Sequence, residues 1–456
     1  MVTVIKIKQG LDIPLTGAAQ AVTKQTLPSP YYTVFPDDYP GFVPKVAVKQ
    51  GDKVLAGTPV LFDKNRPEIK IVSPVSGEIA AVERGEKRKL ERIVIQTAGE
   101  NEYLKVSAGD LQSQTADTLK ATLAEAGIFV LIRQRPYDII ANPKDTPRDI
   151  FISGFFSAPL APDIDYVLKG QEADFQAGLD TLARLTAGNV YLGIRPSSQS
   201  EALKQAKNVQ LVAFEGPHPA GNAGVQINHI RPVNKGEVVW TVSPQDVLVI
   251  GRFANRGIVD MTRLVALTGS EVTESARAYY TILPGASIEQ LVTGNVTANR
   301  ELRYISGHVL TGTQITSGGS LHAFDNQITV IPEGRETNEF IGWIMPGCSK
   351  FSVSRTYPAF LLRALSKKTY RMDARIQGGR RAMIMSNEWD KVFPMDILPE
   401  FLVRAILAQD IDKMENLGIY EVAPEDFALC EFVDTSKMEL QRLVRTGLDW
   451  LYKEMN

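Results

Sequence analysis

Residues 46–85, VAVKQGDKVLAGTPVLFDKNRPEIKIVSPVSGEIAAVERG, limit what this chain can become more than any other stretch. Val46 and Val48 alternate with Lys45 and Lys49, the period-2 pattern of a half-buried strand. Gly51-Asp52 then supplies a tight turn, where glycine takes a positive φ at no steric cost, and Val54 and Leu55 resume the strand. Ser73-Pro74 and Ser76-Gly77 punctuate the next stretch and lead into Ile79 and Val82. The segment therefore reads as two β-hairpins folded onto one another. It leaves no room for a long helix near the start of the chain.

At 456 residues the chain is too long for one core and divides on length alone into about three or four domains. Changes of pattern place them at 1–103 (paired hairpins), 104–260 (strands alternating with helices), 261–335 (a Pro- and Gly-rich β segment) and 336–456 (helical). In the second, Leu119, Leu123 and Ala126 share a helical face that Gly127 ends. Ile150–Ser153 is a strand, and Phe175, Leu179, Leu182 and Leu185 follow at helical spacing, with Gly188 as the stop. Val190–Leu192 is the next strand, Glu201–Lys207 a short helix and Val209–Phe214 a third strand. That β-α-β-α-β order implies a parallel, Rossmann-like sheet with right-handed crossovers. In the third region Pro284-Gly285 marks a turn, Ser287 with Gln290 forms a capping box, and 304–307 and 309–312 read as strands. In the last, Pro358 opens a helix carrying Leu361, Leu362 and Leu365, and Pro399 opens another. Ser436 and Glu439 cap a final helix with the stripe Leu440, Leu443, Val444, Leu448 and Leu451. The fold class is multidomain α+β.

Composition removes several functions. The hydrophobic and charged fractions, 44% and 22%, are those of an ordinary globular protein, and a formal net charge of -2 provides no basic field for nucleic acid. No stretch approaches the roughly 20 apolar residues that cross a bilayer. The opening MVTVIKIKQG alternates like a strand and has no signal-peptide core, so a cytoplasmic chain, or one attached to a membrane-bound partner, is expected. The two cysteines, Cys348 and Cys430, form no CxxC pair, and the four histidines, His218, His229, His308 and His322, have no metal-ligand spacing. Neither a metal site nor an iron–sulfur cluster can be built from such ligands within the chain. A dinucleotide site needs a Gly-rich turn after a strand, and Gly154-Phe155-Phe156 presents aromatic bulk there. The stretch 216–224, GPHPAGNAG, follows a strand but lacks a P-loop lysine, and its prolines remove amide donors. It reads as a structural loop or as a binding loop with close backbone approach.

The hairpin region resembles the barrel-sandwich hybrid of biotinyl and lipoyl carrier domains. Such carriers set a modified lysine within a Met-Lys-Met type of motif, and the matching tip here is Asp63-Lys64-Asn65-Arg66-Pro67. The third region resembles the soluble-ligand-binding β-grasp module. The order of the four parts is similar to the flavin- and NADH-binding subunit of respiratory complex I and to the C subunit of the Rnf complex. Particular words point closer: 8–14 (KQGLDIP), 133–137 (RQRPY), 216–221 (GPHPAG), 340–343 (FIGW) and 395–399 (MDILP) resemble the A subunit of the sodium-translocating NADH:quinone oxidoreductase over essentially the whole chain. Where the complex I relative has its Gly-rich flavin loop, this chain has Ile128–Arg133. Where cluster-bearing relatives have several close cysteines, it has Cys430 alone.

The resemblance implies a peripheral subunit on the cytoplasmic face of the bacterial inner membrane, part of an oxidoreductase and translocase that uses NADH, flavins, an iron–sulfur centre and ubiquinone and exports sodium. It implies no cofactor and no catalytic residue in this chain, and partnership with the membrane subunits. Alternatives are a stand-alone quinone-binding module and an Rnf-type subunit. An independent flavin or nucleotide enzyme is disfavoured by the missing Gly-rich turn. Quinone needs an apolar slot and donors for two carbonyls, for which His218, His229 and Trp240 are the candidates. Arg84, Lys87, Arg88, Lys89 and Arg92 form either a solvated loop or a contact for anionic head groups or an acidic partner. The terminal stripe Leu440–Leu451 is core or a second docking contact.

Overall fold

The computed structural model describes residues 3–25, 28–106, 111–335, 350–354 and 368–455. The FIGW word, Cys348 and the helix expected to start at Pro358, with Leu361, Leu362 and Leu365, lie outside the described residues. The hybrid region is two small sheets facing each other. One runs in the order Tyr31–Val34, Leu90–Thr97, Gly77–Arg84, Lys53–Val54, the other Pro44–Val46, Pro59–Asp63, Lys70–Val72. Val60, Leu61, Ile71, Ile79, Ile93 and Ile95, all at most 1% exposed, fill the space between them.

One pairing differs from the sequence reading. Gly51 turns with φ 87°, but the strands on either side of it are not partners. Pro44–Val46 pairs with Pro59–Asp63, and Lys53–Val54 with Gly77–Arg84. The turn carries the chain from one sheet to the other. Alternation fixes which face each strand buries, and both sheets bury theirs in the same core, so the pattern cannot name the partner.

The central sheet has seven strands in the order Thr3–Lys6, Gln210–Glu215, Val190–Ile194, Ile150–Ser153, Val239–Thr241, Arg133–Arg135, Ile139–Ile140. The first five are parallel, and the last two form an antiparallel hairpin at the edge. The expected β-α-β-α-β unit is present, though its second helix is only Glu201–Lys204. Glu172–Ala183 and Pro244–Arg256 cross at two glycines. A Cβ on Gly251 would lie 1.7 Å from the Asp174 carbonyl oxygen, and one on Gly178 would lie 2.2 Å from that of Val247. Gly127 ends Ala116–Glu125 with paired bonds, Gly127 N to Ala124 O and Ile128 N to Leu123 O. Gly188 does not close the Glu172–Ala183 helix. It lies beyond it, pressed against the Arg148 carbonyl, where no side chain fits.

The third sheet has six strands in the order Thr313–Ile315, Leu302–Ser306, Gln327–Pro332, Arg263–Thr268, Tyr279–Ile282, Thr23–Lys24. Residues 309–312, expected as a strand, form the tight turn of its edge hairpin. Gly307 has φ 89°, and Gly312 N donates to His308 O. The Ser287 hydroxyl accepts from Glu289 N, one residue short of a capping box, and Gln290 does not cap back.

The C-terminal unit packs Pro399–Ala408, Ile411–Asn416, Ala428–Val433 and Leu440–Met455 around Trp389, Phe393 and Phe427. Leu440, Val444, Leu448 and Leu451 are each 0% exposed, so the terminal stripe is spent on the chain's own core and offers no docking face. Ser436 is not its cap: the hydroxyl donates to Ala382 O, while Glu439 pairs with Arg380 and Arg442. The amide of Gln441 is met instead by the Glu431 carboxylate at 3.0 Å.

Candidate functional site

The four described family-like words are far apart in sequence and meet along one seam, where the central sheet joins the helical unit. After Thr3–Lys6 the chain crosses the sheet's end, and Ile7 N donates to Glu215 O. Gly10, at φ 137°, donates its amide to Lys391 O and passes so close to the 216–221 loop that a Cβ would lie 2.2 Å from His218 O. Only glycine fits there. Leu11 N donates to His218 O at 2.8 Å, and His218 N returns a bond to Asp12 Oδ1 at 2.9 Å.

His218, 3% exposed, lies within this layer. Its Nδ1 is 2.9 Å from Ser157 Oγ, which also accepts from Gly221 N. Burial, reinforced by neighbouring His308, pushes its pKa down to about 3, and burial alone takes His308 to about 4. Both rings are neutral at pH 7. His308 comes from the Gly307–Gly312 turn, whose Leu310 carbonyl accepts from Gln441 of the terminal helix, so the six-stranded sheet also reaches the seam.

The 133–137 word supplies a buried ion pair across it. Arg135, 2% exposed, donates through Nη1 to Asp426 Oδ2 at 2.9 Å and to Glu421 O at 2.8 Å. Burial, the largest single influence, pulls the guanidinium's pKa down, but Asp426, Asp138 and Glu425 together outweigh it and the group ends above the usual arginine value. Tyr137 and Asp138 then take φ values of 77° and 49°, which an aspartate tolerates and a bulky tyrosine seldom adopts. Arg445 of the terminal helix holds both carbonyls, Tyr137 O at 2.6 Å and Asp138 O at 3.0 Å. The 395–399 word completes the seam. Met395 is buried, Asp396 N donates to Asn228 Oδ1, and Asn228 Nδ2 donates to Glu421 Oε2 at 2.8 Å. An open cleft of about 720 Å³ follows its outer edge, with Asp390, Asp396, Glu415 and Glu421 against Lys235.

The 216–224 stretch is a structural loop. The chain's own 8–12 segment fills one side of it, and on the other the Asp426 carboxylate lies against the first turn of the Ala223–Ile230 helix, where a Cβ on Gly224 would lie 2.5 Å from it.

The three quinone candidates are not brought together. His218 is in the seam, Trp240 is fully buried in the sheet core edge-on to Phe129 at 5.4 Å, and His229 is exposed with Nδ1 bonded to Val225 O of its own helix. None of them lines the seam cleft or the cavity between the hybrid and six-stranded sheets. Trp240 Nε1 has no hydrogen-bond partner among the described residues. No group of three or more His, Cys, Asp or Glu among the described residues could hold a metal ion. Cys430 is fully buried, and burial first, then Asp390, Asp426 and Asp434, raise its thiol pKa, so it is no nucleophile. What the arrangement provides is rigidity.

Comparison with known proteins places the whole chain. Three family models match: the NqrA N-terminal barrel-sandwich hybrid domain at residues 5–98, the NqrA second alpha/beta domain at 114–259, and the NQRA C-terminal domain at 264–317. The chain is 35% identical over 453 residues to the A subunit of the Na(+)-translocating NADH-quinone reductase of Pasteurella multocida, covering 99% of this chain and all of that one. The chain belongs to that NqrA family. A member from Neisseria meningitidis serogroup A is 36% identical over 454 residues, 99% of this chain and 100% of the relative. One from Rhodopirellula baltica is 35% identical over 457 residues, 99% of each. The family's members are subunits of an oxidoreductase, and no helix among the described residues is long and apolar enough to cross a membrane.

Proposed function

We propose that this chain is the peripheral NqrA subunit of a sodium-translocating NADH:quinone reductase, attached to the cytoplasmic face of the membrane, where the complex couples electron transfer from NADH to quinone to sodium export. The observation that carries the reading is full-length identity of about one residue in three to proteins so named. Redox centres and sodium passage belong to the sister subunits, and this chain holds them in register. Supporting that division, the buried acid Asp426 lies at the helix start that follows a sheet strand, the kind of place where a dinucleotide would lay its phosphates. The buried thiol offers no stepping stone for electrons.

The contact surface lies outside the terminal stripe. The basic hairpin tip is partly paired within the chain: Arg92 bonds Glu83 at 2.7 Å and Lys89 bonds Asp37 at 2.6 Å, while Arg84 donates to Arg88 O and keeps its charge. The acidic seam cleft is the better candidate for a partner. Its charge suits a basic segment of a sister subunit.

Purifying the complex from native membranes with and without this chain tests the proposal. Loss of sodium-dependent quinone reduction on its removal, with no NADH:quinone activity in the isolated chain, is the expected result. Turnover by the isolated chain, or full activity of a complex lacking it, overturns the reading.

A further inference from the structure

A second cavity, of about 410 Å³, lies away from the seam, where the hybrid sheets meet the six-stranded sheet. Its wall is drawn from the strands Tyr31–Val34 and Tyr279–Ile282, the loop around 97–101 and the short helix Glu289–Val292. The wall has eighteen residues among the described ones; in a chain that is 22% charged such a wall would ordinarily include several charged side chains, and among the described residues it includes none. Four amides take their place, Gln25, Asn101, Gln290 and Asn295, together with five serine and threonine hydroxyls.

Several of these groups are fixed or open to a ligand. Asn295 Nδ2 is held by Leu291 O at 2.9 Å, which orients the amide and leaves its carbonyl oxygen. The side chains of Gln25 and Gln290 make no hydrogen bond among the described residues. The Tyr280 hydroxyl is committed to Ala276 O, so its ring is what remains for the cavity, alongside that of Tyr32 and the aliphatic Val75, Ile282 and Leu291.

A phosphate, carboxylate or ammonium would lose its water here and meet no opposite charge. Amides and hydroxyls both donate and accept, which suits a ligand whose own groups do both. Rings and aliphatic carbons suit the C–H face of such a ligand. We propose that this cavity binds an uncharged polyhydroxylated ring, of the sugar class, across the junction of the hybrid and six-stranded sheets. The volume falls within the range of roughly 300–1,000 Å³ usual for small-molecule sites. The assignment is independent of the function proposed above.

Such a ring comes free or as the head group of a lipid, and the experiment separates the two. Saturation-transfer NMR and calorimetry on the full chain use the methyl glycosides of glucose, galactose and mannose, octyl glucoside below its micelle concentration, and glucuronate. Saturable binding of a methyl glycoside is expected, with glucuronate at least tenfold weaker. A tighter octyl than methyl glucoside assigns the site to a lipid-borne sugar, and equal affinity assigns it to a free one. Gln290→Ala removes one neutral hydrogen bond and should weaken binding about fivefold, and Gln290→Trp, on the same exposed turn, should block it. Absence of saturable glycoside binding, glucuronate binding as tightly, or an unaltered affinity in the Trp variant overturns the proposal.

Discussion

His218 makes the stability of the seam depend on acidity in a way that one substitution isolates. Its folded pKa of about 3 lies below the unfolded histidine value of 6.5, because burial, with His308 adding to it, penalises the charged ring. Between those values the unfolded chain binds the proton and the native chain does not, so stability falls as pH falls from 6.5 towards 3. At pH 4.5 the difference amounts to two pH units of uncompensated protonation, about 3 kcal/mol from this residue alone. His218→Asn keeps a polar atom near Ser157 Oγ, removes the titration and leaves a small cavity whose cost is the same at every pH. Urea unfolding of parent and variant at pH 7 and pH 4.5 reads the effect, with the slope m checked for constancy. The variant should be the less stable protein at pH 7 and should recover about 3 kcal/mol relative to the parent at pH 4.5. Equal losses in the two proteins on acidification would refute the argument, since His218 would then accept a proton as readily inside the seam as in water.

Other perturbations have equally definite outcomes. Arg135→Met strands the buried Asp426 charge and should cost roughly 3–5 kcal/mol by urea midpoint, and adding Asp426→Asn should return more than about 1 kcal/mol. Gly10→Ala forces a side chain onto a φ of 137° and a Cβ to within 2.2 Å of His218 O; the backbone strain alone should cost roughly 1–3 kcal/mol in the same assay. Asp325 behaves oppositely to His218: burial outweighs its Ser306 bond and raises its pKa from 3.8 to about 6. Its protonated form contributes stability that is fully present below pH 3.8 and lost as pH rises through about 6, so Asp325→Asn should gain on the parent in melting scans at pH 7.5 and not at pH 3.5. Cys430 should resist thiol reagents in the native chain and react on unfolding; a fast native reaction would place it outside the core.

Much of the fold is local, and local structure is legible. The alternation of strands and helices from Ile150 to Glu215, the Gly127 stop and the burial of Val46 and Val48 follow from periodicity and turn chemistry, which operate over a few residues. Partner choice does not. Val46 and Val54 bury toward one core from two sheets, and no spacing distinguishes that from a hairpin. The pattern Ser436-x-x-Glu439 has the form of a capping box, yet the Gln441 amide finds Glu431 on a neighbouring helix, a competitor that appears only after packing. The seam shows the same division. The words at 8–14, 133–137, 216–221 and 395–399 stand out in sequence, but Arg135 and its acceptor Asp426 are 291 positions apart, and Asp426 stands out in no pattern of its own.

The parallel pairing of Thr3–Lys6 with Gln210–Glu215 also sets a timetable for a growing chain. The strand is made first, yet its neighbour in the sheet leaves the ribosome about 200 residues later, roughly 10–40 s at ordinary rates of synthesis. Over that interval Ile7, Ile13 and Leu15, which end as part of the seam core, have no finished surface to cover them. A nascent chain of this architecture carries an open β edge through nearly the first half of its translation and a short apolar tract until the helical unit that covers it is made, and its yield in a cell will depend on what shields them meanwhile.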